Sequence, residues 1–158
     1  MMQPKVEASL LQSLALTELA QVLEIGKGTG YMTALLSRHC SHVTSVEIHG
    51  DFLRPAAARL EALGIHNVTL EEGDGADGWN AAGNWDAILL TGSVPVLPDT
   101  YCQALEPSGR LAAIVGQDPV MEAILYCQNG DGELSQQSLF DTSLPPLINA
   151  RAPSAFTF

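Results

Sequence analysis

The chain has 158 residues, of which 46% are hydrophobic and 16% charged, with 14 glycines and 9 prolines. This is the length of one domain with apolar content for its own core, which excludes disordered, collagen-like and low-complexity classes. Seven Lys and Arg stand against eighteen Asp and Glu, a formal net charge of −11. With the basic residues scattered singly, that balance argues against long nucleic acids and anionic membranes as partners.

The segment from Pro4 carries Val6, Leu10, Leu11 and Leu14 at helical spacing, with Pro where a helix can start. Glu7, Gln12 and Ser13 interrupt it, so it reads as a helix and not as a signal peptide. A first strand is expected at 21–25, running into a glycine cluster, then a short helix at 31–38 and a second strand at 42–48. Asp51 is placed to cap the next helix, which aligns Phe52, Ala56, Leu60 and Leu63 on one face and closes at Gly64. Strands follow at 67–71 and, after a glycine-rich loop, 85–91. A helix at 98–105 ends in Glu106-Pro107-Ser108-Gly109, and a fifth strand covers 110–115.

There the alternation of helix and strand stops. Gly116-Gln117-Asp118-Pro119 leaves no room for a crossover helix, and Asn129-Gly130-Asp131-Gly132 is a hairpin signal. Segments 121–127 and 133–140 are therefore expected as antiparallel strands. The result is an α/β fold with a mostly parallel seven-stranded sheet in the order 3-2-1-4-5-6-7, in a single domain over 1–158. The proline-containing tail from residue 145 is expected to wrap over the surface.

The chemistry concentrates at strand ends. Val22 to Tyr31 reads as a buried strand, a turn with Gly26, Gly28 and Gly30, and a helix start. A dinucleotide fingerprint would want its third glycine at position 31, which is Tyr. The actual spacing, with Glu24 two residues before the first glycine, fits S-adenosylmethionine, whose cationic end Glu24 can help hold. Glu47 lies 21 residues after Gly26, at the end of the second strand, where an acid can accept ribose hydroxyls. At such an open end it is expected to matter little for stability. Asp74, between Gly73 and Gly75, can accept an adenine amino group, with Gly75 keeping the loop low beside the ring. Each feature alone is common in turns and strand ends; together they mark one edge of one sheet.

Other constellations are weaker. His39, Cys40 and His42 lack a second ligand pair, so a surface turn is expected and no metal. Trp79 and Trp85 read as packing residues. The odd count of three cysteines, Cys40, Cys102 and Cys127, predicts reduced thiols and a cytoplasmic location.

Over nearly its whole length the sequence resembles the protein-L-isoaspartate O-methyltransferases, repair enzymes that methylate isoaspartyl carboxylates. The matching motifs are Leu23-Glu24-Ile25-Gly26 through Gly30-Tyr31, Ser45-Val46-Glu47, Leu63-Gly64-Ile65 through Asn67-Val68, and Gly73-Asp74-Gly75 with Gly78-Trp79. Trp85-Asp86-Ala87-Ile88, the stretch from Thr91 to Pro98, and Gly109 to Gly116 complete them. The resemblance implies a Rossmann-like methyltransferase fold, S-adenosylmethionine as cofactor, and isoaspartyl proteins or peptides as substrate. It implies that Gly26, Gly28, Gly30, Glu47 and Asp74 line the cofactor site and that Thr91 lies near the transferring methyl.

The chain departs from the family in three places. The family carries a segment before the position of Met1 that helps cover the active site. It places a hydroxyl residue in an Ile-Ser-Gln-Pro-like motif where this chain reads Met1-Met2-Gln3-Pro4, and methionine cannot make that hydrogen bond. Lys27 puts a cation near a sulfonium, which is unfavourable unless it points outward. No catalytic residue is assigned, because an acceptor carboxylate is ionised at neutral pH and needs no general base. Three readings follow: an isoaspartyl carboxyl methyltransferase, a methyltransferase on another small acceptor, and a cofactor-binding domain with little activity. The expectation for these 158 residues is cofactor binding with poor methylation of isoaspartyl peptides.

Overall fold

The computed structural model describes residues 2–26, 28–79 and 84–153. Helix α1 (Pro4–Ser13) leads to β1 (Gln21–Ile25), α2 (Tyr31–Ser37) and β2 (His42–Glu47). A 3-10 turn (Gly50–Phe52) joins α3 (Leu53–Ala62), followed by β3 (Val68–Glu72), β4 (Trp85–Leu90) and α4 (Asp99–Gln103). Strands β5 (Leu105–Gln117), β6 (Val120–Gln128) and β7 (Leu134–Asp141) complete the regular structure of the described residues. The sheet order is β3-β2-β1-β4-β5-β6-β7, parallel through β5 and antiparallel from there.

The central strands read as nearly continuous apolar runs because both faces of a parallel sheet are covered. Side chains alternate between two cores as the strand period requires. On β1, Val22 joins the cluster of Leu10, Leu14, Met32 and Leu36, while Leu23 and Ile25 join Tyr101, Leu105 and Leu111 on the other face. On β4, Ala87 and Leu89 face the first cluster, and Ile88 and Leu90 the second. Helices α1 and α2 therefore cover one face and α4 the other.

Helix α3 starts later and buries less than its pattern predicts. No side chain caps either the 3-10 turn or α3, so Asp51 is not the expected cap. Ala56 and Leu60 are buried, but Phe52 is 47% and Leu63 57% exposed. The 3-10 turn rotates Phe52 off the helical stripe and towards the sheet's carboxyl edge. The other end closes as expected: the Gly64 N–H donates to the Glu61 carbonyl at 2.9 Å and the Ile65 N–H to Leu60 at 2.9 Å.

Strand β5 is longer than expected. Glu106 to Gly109, read as a turn, lie inside it, and the register against β4 shifts between Trp85 and Ala87. Ser108, at φ +65°, supplies the local bend. Residues 144–147 run beside the end of β4. The Ser93 N–H donates to the Pro145 carbonyl at 3.0 Å, the Leu147 N–H to Ser93 at 2.9 Å, and the buried Ser93 hydroxyl to Leu144 at 2.8 Å. The part of the expected wrapping tail beyond residue 153 lies outside the described residues.

Candidate functional site

The carboxyl ends of β1, β2, β3 and β4 open into one crevice, where ligands bind in sheets of this kind. Its main cavity is about 420 Å³, and its walls include Ile25, Gly26, Glu47, Asp74, Gly75 and Thr91. A second cavity of about 220 Å³ lies under the glycine loop, lined by Met2, Glu7, Gly28 and Met32. Gly26, Phe52 and Thr91 line both, so the two spaces meet there.

The loop between β1 and α2 is fixed from three sides. The Gly26 N–H donates to the Val46 carbonyl at 2.8 Å, and the Gly28 N–H donates to Glu47 Oε2 at 2.9 Å. From β4, Thr91 Oγ1 donates to Ile25 O at 2.8 Å and also lies against Gly26 O. On the outer side, Arg59 reaches the Thr29 carbonyl at 3.1 Å. Lys27, the cation noted in the sequence, lies outside the described residues. Gly30 starts α2 at φ +85°; it packs against Ala56 and lines neither cavity. Thr91→Val removes the hydroxyl that bridges β4 to the loop. It is expected to cost about 1 kcal/mol of stability and several-fold in nucleoside affinity, read by thermal unfolding and calorimetry.

Glu47 differs from expectation. Its side chain is buried, not free at an open strand end: it is 5% exposed, with Oε2 on Gly28 and Oε1 accepting the His49 N–H at 3.0 Å. Each carboxylate oxygen keeps lone-pair capacity for a ligand hydroxyl. Asp74 is exposed; Oδ1 accepts the Ala76 N–H at 2.9 Å and Oδ2 accepts from Asn149 Nδ2 at 2.8 Å. The oxygen available to an adenine amino group thus already has a donor from the tail. Glu24 lines neither cavity. It is fully buried beneath the loop, where Oε2 accepts from Thr33 at 2.5 Å and Ser45 at 2.7 Å, tying α2 and β2 to β1.

Gly75 lies so close to Ile25 that an added Cβ would sit 2.6 Å from its Cγ2. The Tyr101 hydroxyl donates to the Gly75 carbonyl. Burial first, then the charges of Asp74 and Asp77, push that phenol well above its ordinary range, so it stays a neutral donor. Trp79 packs over Gly73 and donates to Glu71 at 2.9 Å, and Trp85 is buried in the second core. His49 and Phe52, absent from the sequence-based site, form an edge-to-face pair at 5.7 Å on the crevice wall. Among the described residues no three His, Cys, Asp or Glu gather to hold a metal ion. Cys40, in the segment read as a surface turn, is buried, and His42 shares a 2.8 Å hydrogen bond with Thr69.

The model of the protein-L-isoaspartate(D-aspartate) O-methyltransferase family matches residues 1–152. A protein-L-isoaspartate O-methyltransferase 1 from Anaeromyxobacter sp. is 39% identical over 150 residues, covering 94% of this chain and 71% of that protein. A solved protein-L-isoaspartate O-methyltransferase superposes with a TM-score of 0.81 at 30% identity, covering 92% of this chain and 47% of that one. A second solved structure, from Plasmodium falciparum, described as a protein of the same kind in complex with S-adenosyl-L-homocysteine, has a TM-score of 0.72 at 20% identity. It covers 93% of this chain and 75% of its own.

Proposed function

Since the chain belongs to the protein-L-isoaspartate(D-aspartate) O-methyltransferase family and is an S-adenosylmethionine-dependent methyltransferase, we propose that it methylates the carboxylate of isoaspartyl residues in peptides or proteins. The observation that carries this reading is the crevice itself. A buried carboxylate, Glu47, accepts the Gly28 N–H beside the cavity, and an added Cβ on Gly26 or Gly75 would push into Thr91 or Ile25 of the cavity wall. These residues fit S-adenosylmethionine, which when bound supplies an electrophilic methyl group on a sulfonium.

The chain's residues do the positioning. Glu47 and Asp74 would hold the nucleoside end, with Gly26 lining both cavities and Gly28 the second. Thr91 fixes the Gly26 backbone where the two cavities meet. Bound S-adenosylmethionine would supply its methyl group to the acceptor carboxylate, and these residues would hold the two in line. No proton is removed, so catalysis rests on alignment and exclusion of water. We place the reaction in the cytoplasm, on free thiols such as Cys102 and Cys127. A net charge of −11 speaks against nucleic acid as substrate. Among the described residues no helix is long and apolar enough to cross a membrane.

Met2, 8% exposed, lines the second cavity and offers its acceptor no donor. Met2→Ser restores a hydroxyl and is expected to raise kcat/KM on an isoaspartyl peptide by about tenfold, the worth of one hydrogen bond to a charged group. The assay compares isoaspartyl and aspartyl peptides of one sequence. Methyl ester on the isoaspartyl peptide alone supports the reading; no ester from either variant, at saturating cofactor, overturns it.

A further inference from the structure

Helical periodicity places Phe52 on the apolar stripe of α3, and the structure removes it from there. The 3-10 turn Gly50–Phe52 ends on this residue, whose N–H donates to the His49 carbonyl at 3.1 Å. The turn lies against the end of β3, where a Cβ added to Gly50 would sit 2.6 Å from Glu72 Oε2. Phe52 is left 47% exposed, and its ring meets His49 edge-to-face at 5.7 Å. A single exposed aromatic is ordinary on a protein surface. This one lines both cavities of the site.

Gly26 and Thr91 share that junction with it. Gly26 has no side chain, and the Thr91 hydroxyl is committed to the carbonyls of Ile25 and Gly26. Phe52 thus supplies the large side-chain surface where the two spaces meet. S-Adenosylmethionine carries its sulfonium between the nucleoside and the amino-acid arm. With the nucleoside beside Glu47 and Asp74, the sulfur would come to the junction, whether the second cavity takes the arm or the acceptor. Apart from His49, no basic side chain is found among the described residues that line the two cavities, whereas Glu7, Glu47 and Asp74 line them. A cation at the junction would meet the negative face of an aromatic ring and no ammonium or guanidinium beside it. A neutral thioether would gain only apolar contact.

We propose that the Phe52 ring receives the sulfonium of the cofactor, so that the site prefers the charged methyl donor to its neutral demethylated product; this rests on S-adenosylmethionine being the cofactor, with its nucleoside in the crevice. The test is calorimetric titration of the whole chain, of Phe52→Leu and of Phe52→Trp with two ligands. One is S-adenosylhomocysteine, the neutral product. The other is sinefungin, which keeps the nucleoside and the amino-acid arm and carries a protonated amine on carbon in place of the methylated sulfur. Phe52→Leu keeps an apolar side chain without a ring. It is expected to bind sinefungin about threefold to tenfold more weakly, with S-adenosylhomocysteine affinity held within about twofold. Phe52→Trp, which offers the stronger ring, should keep or widen the parent chain's preference for sinefungin. Equal losses for the two ligands in Phe52→Leu overturn the proposal, because the ring is then only an apolar wall. Unchanged sinefungin affinity in Phe52→Leu, or a preference that shrinks in Phe52→Trp, also overturns it, while S-adenosylhomocysteine binding by the parent chain leaves the cofactor reading standing. Failure of the parent chain to bind either ligand overturns the cofactor reading, and the proposal with it.

Discussion

Glu47→Ala is expected to weaken S-adenosylhomocysteine binding by about 3–6 kcal/mol, roughly a hundred- to ten-thousandfold. The expectation counts the loss of a carboxylate acceptor for two ribose hydroxyls, at about 1.5–3 kcal/mol each. The substitution also strips two backbone donors, the N–H groups of Gly28 and His49, of the partner that now holds them at 2.9 and 3.0 Å. A loss of about 1–3 kcal/mol in folding stability should therefore accompany the loss in affinity. Calorimetry well below the thermal midpoint separates the two effects. A lowered midpoint with unchanged affinity would make Glu47 a clasp for the loop and nothing more.

The second large effect belongs to Gly26. Its φ is +87°, and an added Cβ would lie 2.9 Å from Thr91 Oγ1 and 3.1 Å from Leu147 Cδ2. Gly26→Ala thus meets backbone strain of about 1–2 kcal/mol. It also collides with the hydroxyl that pins the loop and with the tail over the crevice. Binding of S-adenosylhomocysteine should fall below detection while the sheet still folds. Gly28 is the control: it sits at φ +51° with nothing within 4 Å of an added Cβ. Gly28→Ala should pay the strain without the collision and retain measurable binding. Equal behaviour of the two variants would mean that conformational freedom alone, not close approach, explains the glycines.

The parts of this fold that were legible in the sequence are those where local signal and tertiary demand agree. In β1, Val22, Leu23 and Ile25 are apolar, two of them β-branched, because both faces of the strand are buried, and the Asn129–Gly132 turn sets the β6–β7 hairpin by local chemistry. The start of β5 was hidden because Pro107 and Gly109 spell a turn, and the pairing of Leu105 with β4 before them and of Arg110 with β4 and β6 after them carries the strand across the irregularity. Phe52 matched a helical stripe that the 3-10 turn breaks.

The same division runs through the site. Gly26, Glu47, Asp74, Gly75 and Thr91 meet at the crevice because each follows a strand whose end the pattern predicts. Glu24 was legible as an acid before the glycines, but strand alternation turns it to the α2 face, under the loop. Glu7 and the tail carried no such signal. An acid in a first helical turn is usual, and nothing local shows that residues 144–149 return to the crevice, where Asn149 meets Asp74.

The central claim, a nucleoside-binding crevice specific for S-adenosylmethionine, is tested most directly by titrating the chain with S-adenosylhomocysteine and, separately, with NAD. The account predicts saturable binding of S-adenosylhomocysteine at one site per chain and none of NAD, because Tyr31 stands where a dinucleotide fingerprint needs its third glycine. Tight binding of NAD without binding of S-adenosylhomocysteine would contradict it.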